Sequence, residues 1–248
     1  MRTAFRRGVV LWGCVAASVV LAAGCQTGKD AAPAKEVQEP PREFRPGRAL
    51  AQLQFDEGSY PTLFAPSSHA VWVDGRVLAI RREAAAEAGT PVPSDMLVEA
   101  TQLASHYALI ECHIASVFAD MSIAYDVVGL RNVSVYLSLP DGRKVQPLQT
   151  VLDTSAEEEQ RGALKLFART NVVIFPKRDL WMQTPLMTGD MPGVRLVLEA
   201  HGSRFFFEWP GTGLDALMPV SDIEQERVLK QSFHSFYDRV RALSHTLD

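Results

Sequence analysis

Residues 195–209 read Arg-Leu-Val-Leu-Glu-Ala-His-Gly-Ser-Arg-Phe-Phe-Phe-Glu-Trp, and this stretch decides the fold class. Two runs of alternating character flank a Gly202-Ser203 pair, which suits a two-residue type II′ turn because that turn wants glycine first. Counting from such a turn, Ala200 faces Phe205, Leu198 faces Phe207 and Leu196 faces Trp209. Strand side chains alternate, so these six residues share one face. Arg195, Glu199, Arg204 and Glu208 fall on the other, with Val197 and Phe206 among them. Turn chemistry and hydrophobic period agree on an antiparallel hairpin.

The same grammar recurs upstream. Val133, Val135, Leu137 and Leu139 alternate with Ser134, Tyr136 and Ser138, and Pro140-Asp141-Gly142 supplies a turn toward a return strand through Val145. Arg169 to Pro176 carries the β-branched run Val172-Val173-Ile174 and reads as another strand. Ala70 to Ile80 reads as two short strands around Asp74-Gly75, a pair suited to a type I′ turn. Ser155 to Leu166, rich in Glu and Lys, reads as helical or irregular.

Residues 95–118 fit two periods. Met96, Ala100, Leu103, Tyr107, Ile110, Ile114 and Val117 recur at helical spacing, whereas Ala108, Ile110, Cys112, Ile114 and Phe118 fit one strand face. The neighbouring hairpins favour a strand from about Tyr107 to Phe118. At the C-terminus, Ser221 and Glu224 form a capping box, followed by Leu229, Phe233, Phe236, Val240, Leu243 and Leu247. That spacing predicts a helix over about 222–246 with one apolar stripe. The stripe has two readings: packing on the protein's own sheet, or pairing with a protein partner or a second copy.

These elements predict one mainly β domain over 49–248. The expected architecture is an antiparallel β-sandwich of the immunoglobulin-like class with helical additions and a C-terminal helix. An α+β sheet covered by helices is the alternative.

Chemistry is harder to find. The chain has no Gly-x-Ser-x-Gly elbow, Ser-x-x-Lys pair, His-Glu-x-x-His helix, Cys-x-x-Cys pair or phosphate-binding glycine loop. His106, Glu111, Cys112 and His113 come nearest to a metal group. On a strand, however, Glu111 and His113 share a face while Cys112 points away. The plainer reading is a buried thiol with two polar residues on a partly wet face. His234, Tyr237 and His245 lie along the last helix, where a histidine near the C-terminal end complements the helix dipole. Glu157, Glu158 and Glu159 read as solvated surface. No catalytic residue, metal ligand or cofactor is assigned.

The N-terminus is more explicit. Arg2, Arg6 and Arg7 precede an apolar run from Val9 to Ala23, too short for a comfortable span of about 20 residues and ending in small residues. Leu21-Ala22-Ala23-Gly24-Cys25 resembles the lipobox of bacterial lipoproteins, with Ala22 standing where that family usually has Leu, Val or Ile. The resemblance covers residues 1–25. It implies a signal peptide over 1–24, cleavage between Gly24 and Cys25, and a diacylglyceryl group with an added acyl chain (palmitate in kind) on Cys25. In Gram-negative relatives, Gln26 after the cysteine implies sorting to the periplasmic side of the outer membrane. Each buried methylene contributes roughly 0.8 kcal/mol, and two or more chains anchor stably where one holds only marginally. Arg6-Arg7 also resembles a twin-arginine signal, so two export routes stay open.

Residues 25–48, with Pro33, Pro40, Pro41 and Pro46, read as a lipidated N-terminus and flexible linker. Beyond residue 24 the chain holds 22 Lys and Arg against 29 Asp and Glu, a balance that argues against nucleic acid as a partner. Of Cys14, Cys25 and Cys112, only Cys112 would remain as a thiol, so stability rests on the core rather than on disulfides.

Anchor, linker and β domain together predict a membrane-tethered, extracytoplasmic binding or assembly module that is not an enzyme. Membrane lipid is its first partner. An extracytoplasmic hydrolase or metal-dependent enzyme with a dispersed site is one alternative, and a small-ligand or lipid carrier is another.

Overall fold

In the computed structural model, runs such as His69-Ala70-Val71-Trp72-Val73 are buried at every position. A strand with water on one face would alternate; one buried on both faces does not. The described residues are 42–56, 61–118, 121–151, 157–161, 164–211, 223–231 and 233–247. The signal peptide, Gly24 and Cys25, most of the linker and the Ser221–Glu224 capping box lie outside them or their described side chains.

One sheet contains β1 (Leu50–Gln52), β3 (His69–Val73), β4 (Tyr107–Ser116), β7 (Gln149–Val151), β8 (Glu157–Arg161) and β9 (Leu164–Pro176). Its order is β1-β3-β4-β9-β7, with β8 also paired to β9. The other contains β2 (Gln54–Phe55), β5 (Ser134–Ser138), β6 (Lys144–Val145), β10 (Gly193–Ala200) and β11 (Ser203–Pro210), in the order β2-β11-β10-β5-β6. The named strand pairs are antiparallel. The helices are α1 (Gly75–Glu87), α2 (Ser94–His106), α3 (Ser122–Val128), α4 (Ile223–Leu229) and α5 (Phe233–Leu247). The result is the mainly β antiparallel sandwich with helical additions that the hairpins predict.

Alternation along the first sheet assigns its two faces. Ala70, Trp72, Ile110, Cys112, Val173 and Phe175 meet Leu137, Leu196, Leu198, Phe205, Phe207 and Trp209 of the second sheet. Trp72 and Trp209 cross edge-on at 5.6 Å, and the Trp209 indole N–H donates to the Ala49 carbonyl at 2.9 Å. On the opposite face, Val71, Val73, Leu109, Val172 and Ile174 pack against α1, α2, α4 and α5. The outer face of the second sheet is covered differently. Tyr136, Val197 and Phe206 are sealed by long charged side chains, with Lys144 Nζ 4.1 Å from the Tyr136 ring centre and Arg195 Cζ 4.9 Å from that of Phe206.

Several expectations are corrected. The 195–209 hairpin turns at His201-Gly202, whose φ values of +50° and +77° make it a type I′ turn rather than a type II′ turn at Gly202-Ser203. Leu198 therefore faces Phe205 and Leu196 faces Phe207. The slip is two residues, so the buried face is unchanged. His201 is held in the left-handed region while its Nε2 lies 2.8 Å from Asp126 Oδ2 in α3.

Asp74-Gly75 is a helix start, not a hairpin turn. Asp74 Oδ1 accepts from the N–H groups of Arg76 (2.9 Å) and Val77 (3.2 Å), and Val77, Leu78, Arg81 and Ala85 form the buried stripe of α1. Residues 95–118 use both of their periods in turn, α2 and then β4. Part of Ser155–Leu166 forms β8: pairing with β9 outweighs the local helical preference. The C-terminal segment is two helices. The Gln231 N–H bonds the Val228 carbonyl, a tightened turn that ends α4 before α5 begins at Phe233. Phe233, Phe236, Tyr237 and Val240 bury their side chains within the domain's own core.

Gly202 tests whether a left-handed residue closes this hairpin. Gly202→Ala is expected to lower the unfolding free energy by about 1–2 kcal/mol, because an alanine must hold the left-handed conformation. Urea denaturation checks it; an unchanged midpoint would mean that the turn sits elsewhere.

Candidate functional site

The structure separates the four residues nearest to a metal group. His106 ends α2 with its ring against Tyr107. Cys112 lies between the sheets, where burial, aided by the Glu111 charge, pushes its thiol far above the ordinary range. Glu111 and His113 point to the helix-covered side, on the common face that a strand requires. Among the described residues, no group of three His, Cys, Asp or Glu side chains is placed to hold a metal ion. Tyr237 donates to Glu99 Oε2, and that bond pushes its hydroxyl up to about 12. His234 lies edge-on to Phe233. The side chains of Glu157, Glu158, Glu159 and His245 lie outside those described.

The helix-covered face carries a buried charge cluster that sequence reading missed. Arg81 of α1 is fully buried, and its Nη2 reaches Glu111 Oε1 at 2.9 Å while Nη1 approaches Oε2 at 3.4 Å. Arg239 of α5 stands 3.8 Å from the same carboxylate, and the Arg81 guanidinium lies 5.2 Å from the Phe236 ring centre. Burial alone disfavours an ionised Glu111, but Arg81, its hydrogen bonds and Arg239 together hold the carboxyl below its ordinary range. The signal available in sequence was Arg81 itself, four residues after Val77 on an otherwise apolar stripe.

Beside this pair, His69 and His113 stack with ring centres 5.0 Å apart, placed opposite each other by the β3–β4 register. His69 Nδ1 lies 2.6 Å from the Ser67 carbonyl, so that nitrogen carries the proton and Nε2 is the acceptor. Burial is the main reason its pKa falls from 6.5 to about 4, with His113 and Arg227 adding to it. His113 Nδ1 is 3.1 Å from Thr170 Oγ1. A carboxylate committed to two guanidiniums and a histidine kept neutral by burial form a structural pair of contacts rather than an acid–base couple.

A concave, polar place on the surface lies along β5. A cavity of about 420 Å³ is lined by Val133, Ser134, Tyr136, Lys144, Gln146 and Glu199, among others. The Tyr136 hydroxyl donates to Glu199 Oε1 at 2.7 Å, and Arg204 Nη2 reaches the same oxygen at 2.7 Å. These hydrogen bonds, that from Tyr136 first, hold the Glu199 carboxyl below its ordinary range.

Backbone geometry explains why the cavity is there. β10 pairs with β5 throughout, but β6 covers only Leu137 and Ser138 on the other side. Continuing that register brings Val135 opposite Pro147, which has no N–H to give. The chain then leaves for the other sheet, where the Leu148 N–H bonds the Ile174 carbonyl. Among the described residues, no strand pairs with Ser134–Tyr136 on this side. No family model, curated protein or solved structure matches the chain.

Two stability measurements follow from the cluster. Arg81→Met should cost about 3–5 kcal/mol by stranding Glu111, and adding Glu111→Leu should recover most of it; calorimetric or denaturant unfolding of the single and double variants measures both. A depressed histidine pKa makes the unfolded chain bind the extra proton. Stability should hold above about pH 6.5 and fall by up to roughly 3 kcal/mol as pH drops toward 4. In His69→Asn that acid step should shrink, and an unaltered pH profile would remove His69 from the account.

Proposed function

We propose that this protein is a membrane-tethered, extracytoplasmic binding module, anchored through acylated Cys25, whose recognition element is the open edge of β5. The observation that carries the reading is the coincidence, at Ser134–Tyr136, of a cavity with an edge that no strand among the described residues pairs. Such an edge takes an extended segment as an added strand: main-chain bonds supply affinity, and pockets for alternate side chains supply choice. Lys144 at the groove's side offers a positive charge to such a segment. A tether raises the local concentration of the groove near a membrane-bound partner without new contacts.

The groove favours binding over chemistry because its carboxylate is committed to Tyr136 and Arg204. The aromatic packing between the sheets, with Trp72, Trp209, Phe64 and Phe205 in contact, weighs against a lipid carrier.

A photo-cross-linking residue at Ser134 should capture one stoichiometric partner from gently solubilised membranes, and the same residue at exposed Glu83 should not. Equal capture at both positions sinks the edge-binding reading. The mass of the mature N-terminal residue checks the anchor: Cys25 should be first and carry acyl chains.

A further inference from the structure

Between β9 and β10 the chain forms a narrow hairpin-like loop. Arg178 bridges Pro185, the Leu186 N–H bonds the Lys177 carbonyl at 2.8 Å, and the Asp179 N–H bonds the Thr184 carbonyl at 2.8 Å. Its tip is an α-turn closed by the Gln183 N–H on the Asp179 carbonyl at 2.9 Å, with Gln183 at φ +55°. Asp179 Oδ1 also accepts from the N–H groups of Trp181 and Met182, each at 2.8 Å. This well-tied tip presents Leu180, Trp181 and Met182 at 62%, 92% and 73% exposure. Three consecutive large apolar side chains in water, on a backbone held this firmly, mark a surface built for something apolar.

We infer that the Leu180-Trp181-Met182 tip inserts into the interface of a lipid bilayer. Two observations select lipid over a protein pocket. Consecutive side chains on a helical turn splay roughly 100° apart, so the three cannot enter one shaped pocket together, whereas a fluid medium solvates each of them. The second is position. The chain from Cys25 joins the domain on this same segment: the Gly189 N–H bonds the Arg42 carbonyl at 2.7 Å, Glu43 bridges Thr188, and Arg178 Nη2 pairs with Glu43 at 2.8 Å. The 17 residues from Cys25 to Arg42 reach at most roughly 60 Å, so an anchored Cys25 keeps the tip within range of the bilayer. Tryptophan suits the headgroup level, with its ring apolar and its N–H wet. The inference rests on the tethering proposed above; it adds which end of the domain faces the lipid.

The test uses full-length protein reconstituted into phosphatidylethanolamine–phosphatidylglycerol vesicles whose acyl chains are brominated near the headgroup. Trp12, Trp72 and Trp209 are common to both proteins, so fluorescence lost in Trp181→Phe reports the tip. That component is expected to be quenched about twofold or more by brominated lipid, shielded from aqueous iodide, and restored in Leu180→Ser/Met182→Ser, which cuts the apolar area holding the tip. Iodide access with no quenching by brominated lipid overturns the proposal, as does shielding that arises only when a membrane protein fraction is added. Intact mass on the same sample separates the two readings. Acylated Cys25 with an unquenched tip leaves the tether standing without insertion. A quenched tip on unacylated protein leaves insertion standing and removes the tether.

Discussion

Burial of the first sheet on both of its faces is the constraint on which the rest of this structure depends. One face meets the second sheet and the other meets four helices, so every side chain from His69 to Val73 has protein around it. Such a sheet gains apolar contact on two sides but has no wet face on which to place a polar residue. Glu111 sits in the middle of it, and three elements distant in sequence converge there: α1 brings Arg81, α5 brings Arg239 and the ring of Phe236, and β4 brings the carboxylate itself. The pair ties the helical layer to the sheet in one register, since sliding α1 by a turn would strand both charges.

The second sheet follows the opposite rule. Among the described residues no helix covers its outer face, and a small cluster of Tyr136, Val197 and Phe206 is shielded there by the stems of Lys144 and Arg195. Its edge is interrupted where Pro147 ends the β6 ladder, which leaves a groove. The groove thus belongs to the more exposed layer, and the ionic bracing belongs to the enclosed one.

This contrast also explains how much was legible beforehand. The strands of the second sheet, β5, β10 and β11, carry a period-2 signal because water lies on one side, and their existence and inward faces follow from sequence. The exact pairing does not, because Gly202 suits two turn types and the choice depends on a contact between His201 and Asp126 that sequence does not display. In the enclosed sheet the period disappears: Val71-Trp72-Val73 and Val77-Leu78 look alike, although one is strand and the other helix. Asp74 caps α1 with the same chemistry that made it a plausible turn residue. Of the candidate residues, the opposed directions of Glu111 and Cys112 were readable from strand geometry. The partners Arg81 and His69 were not, since only the folded register brings them alongside. The edge at Ser134–Tyr136 is an absence of pairing among the described residues, and absences of pairing leave no mark in a linear string.

Cys112 gives the enclosed layer one more consequence. Its sulfur has no exposed surface, and its environment opposes the thiolate through which disulfide exchange proceeds. A free thiol that reaches an oxidant risks joining its chain covalently to a neighbour. Sealed between two sheets, this one is redox-silent for as long as the sandwich stays closed, and its first reaction with a thiol reagent would time the opening of the sandwich.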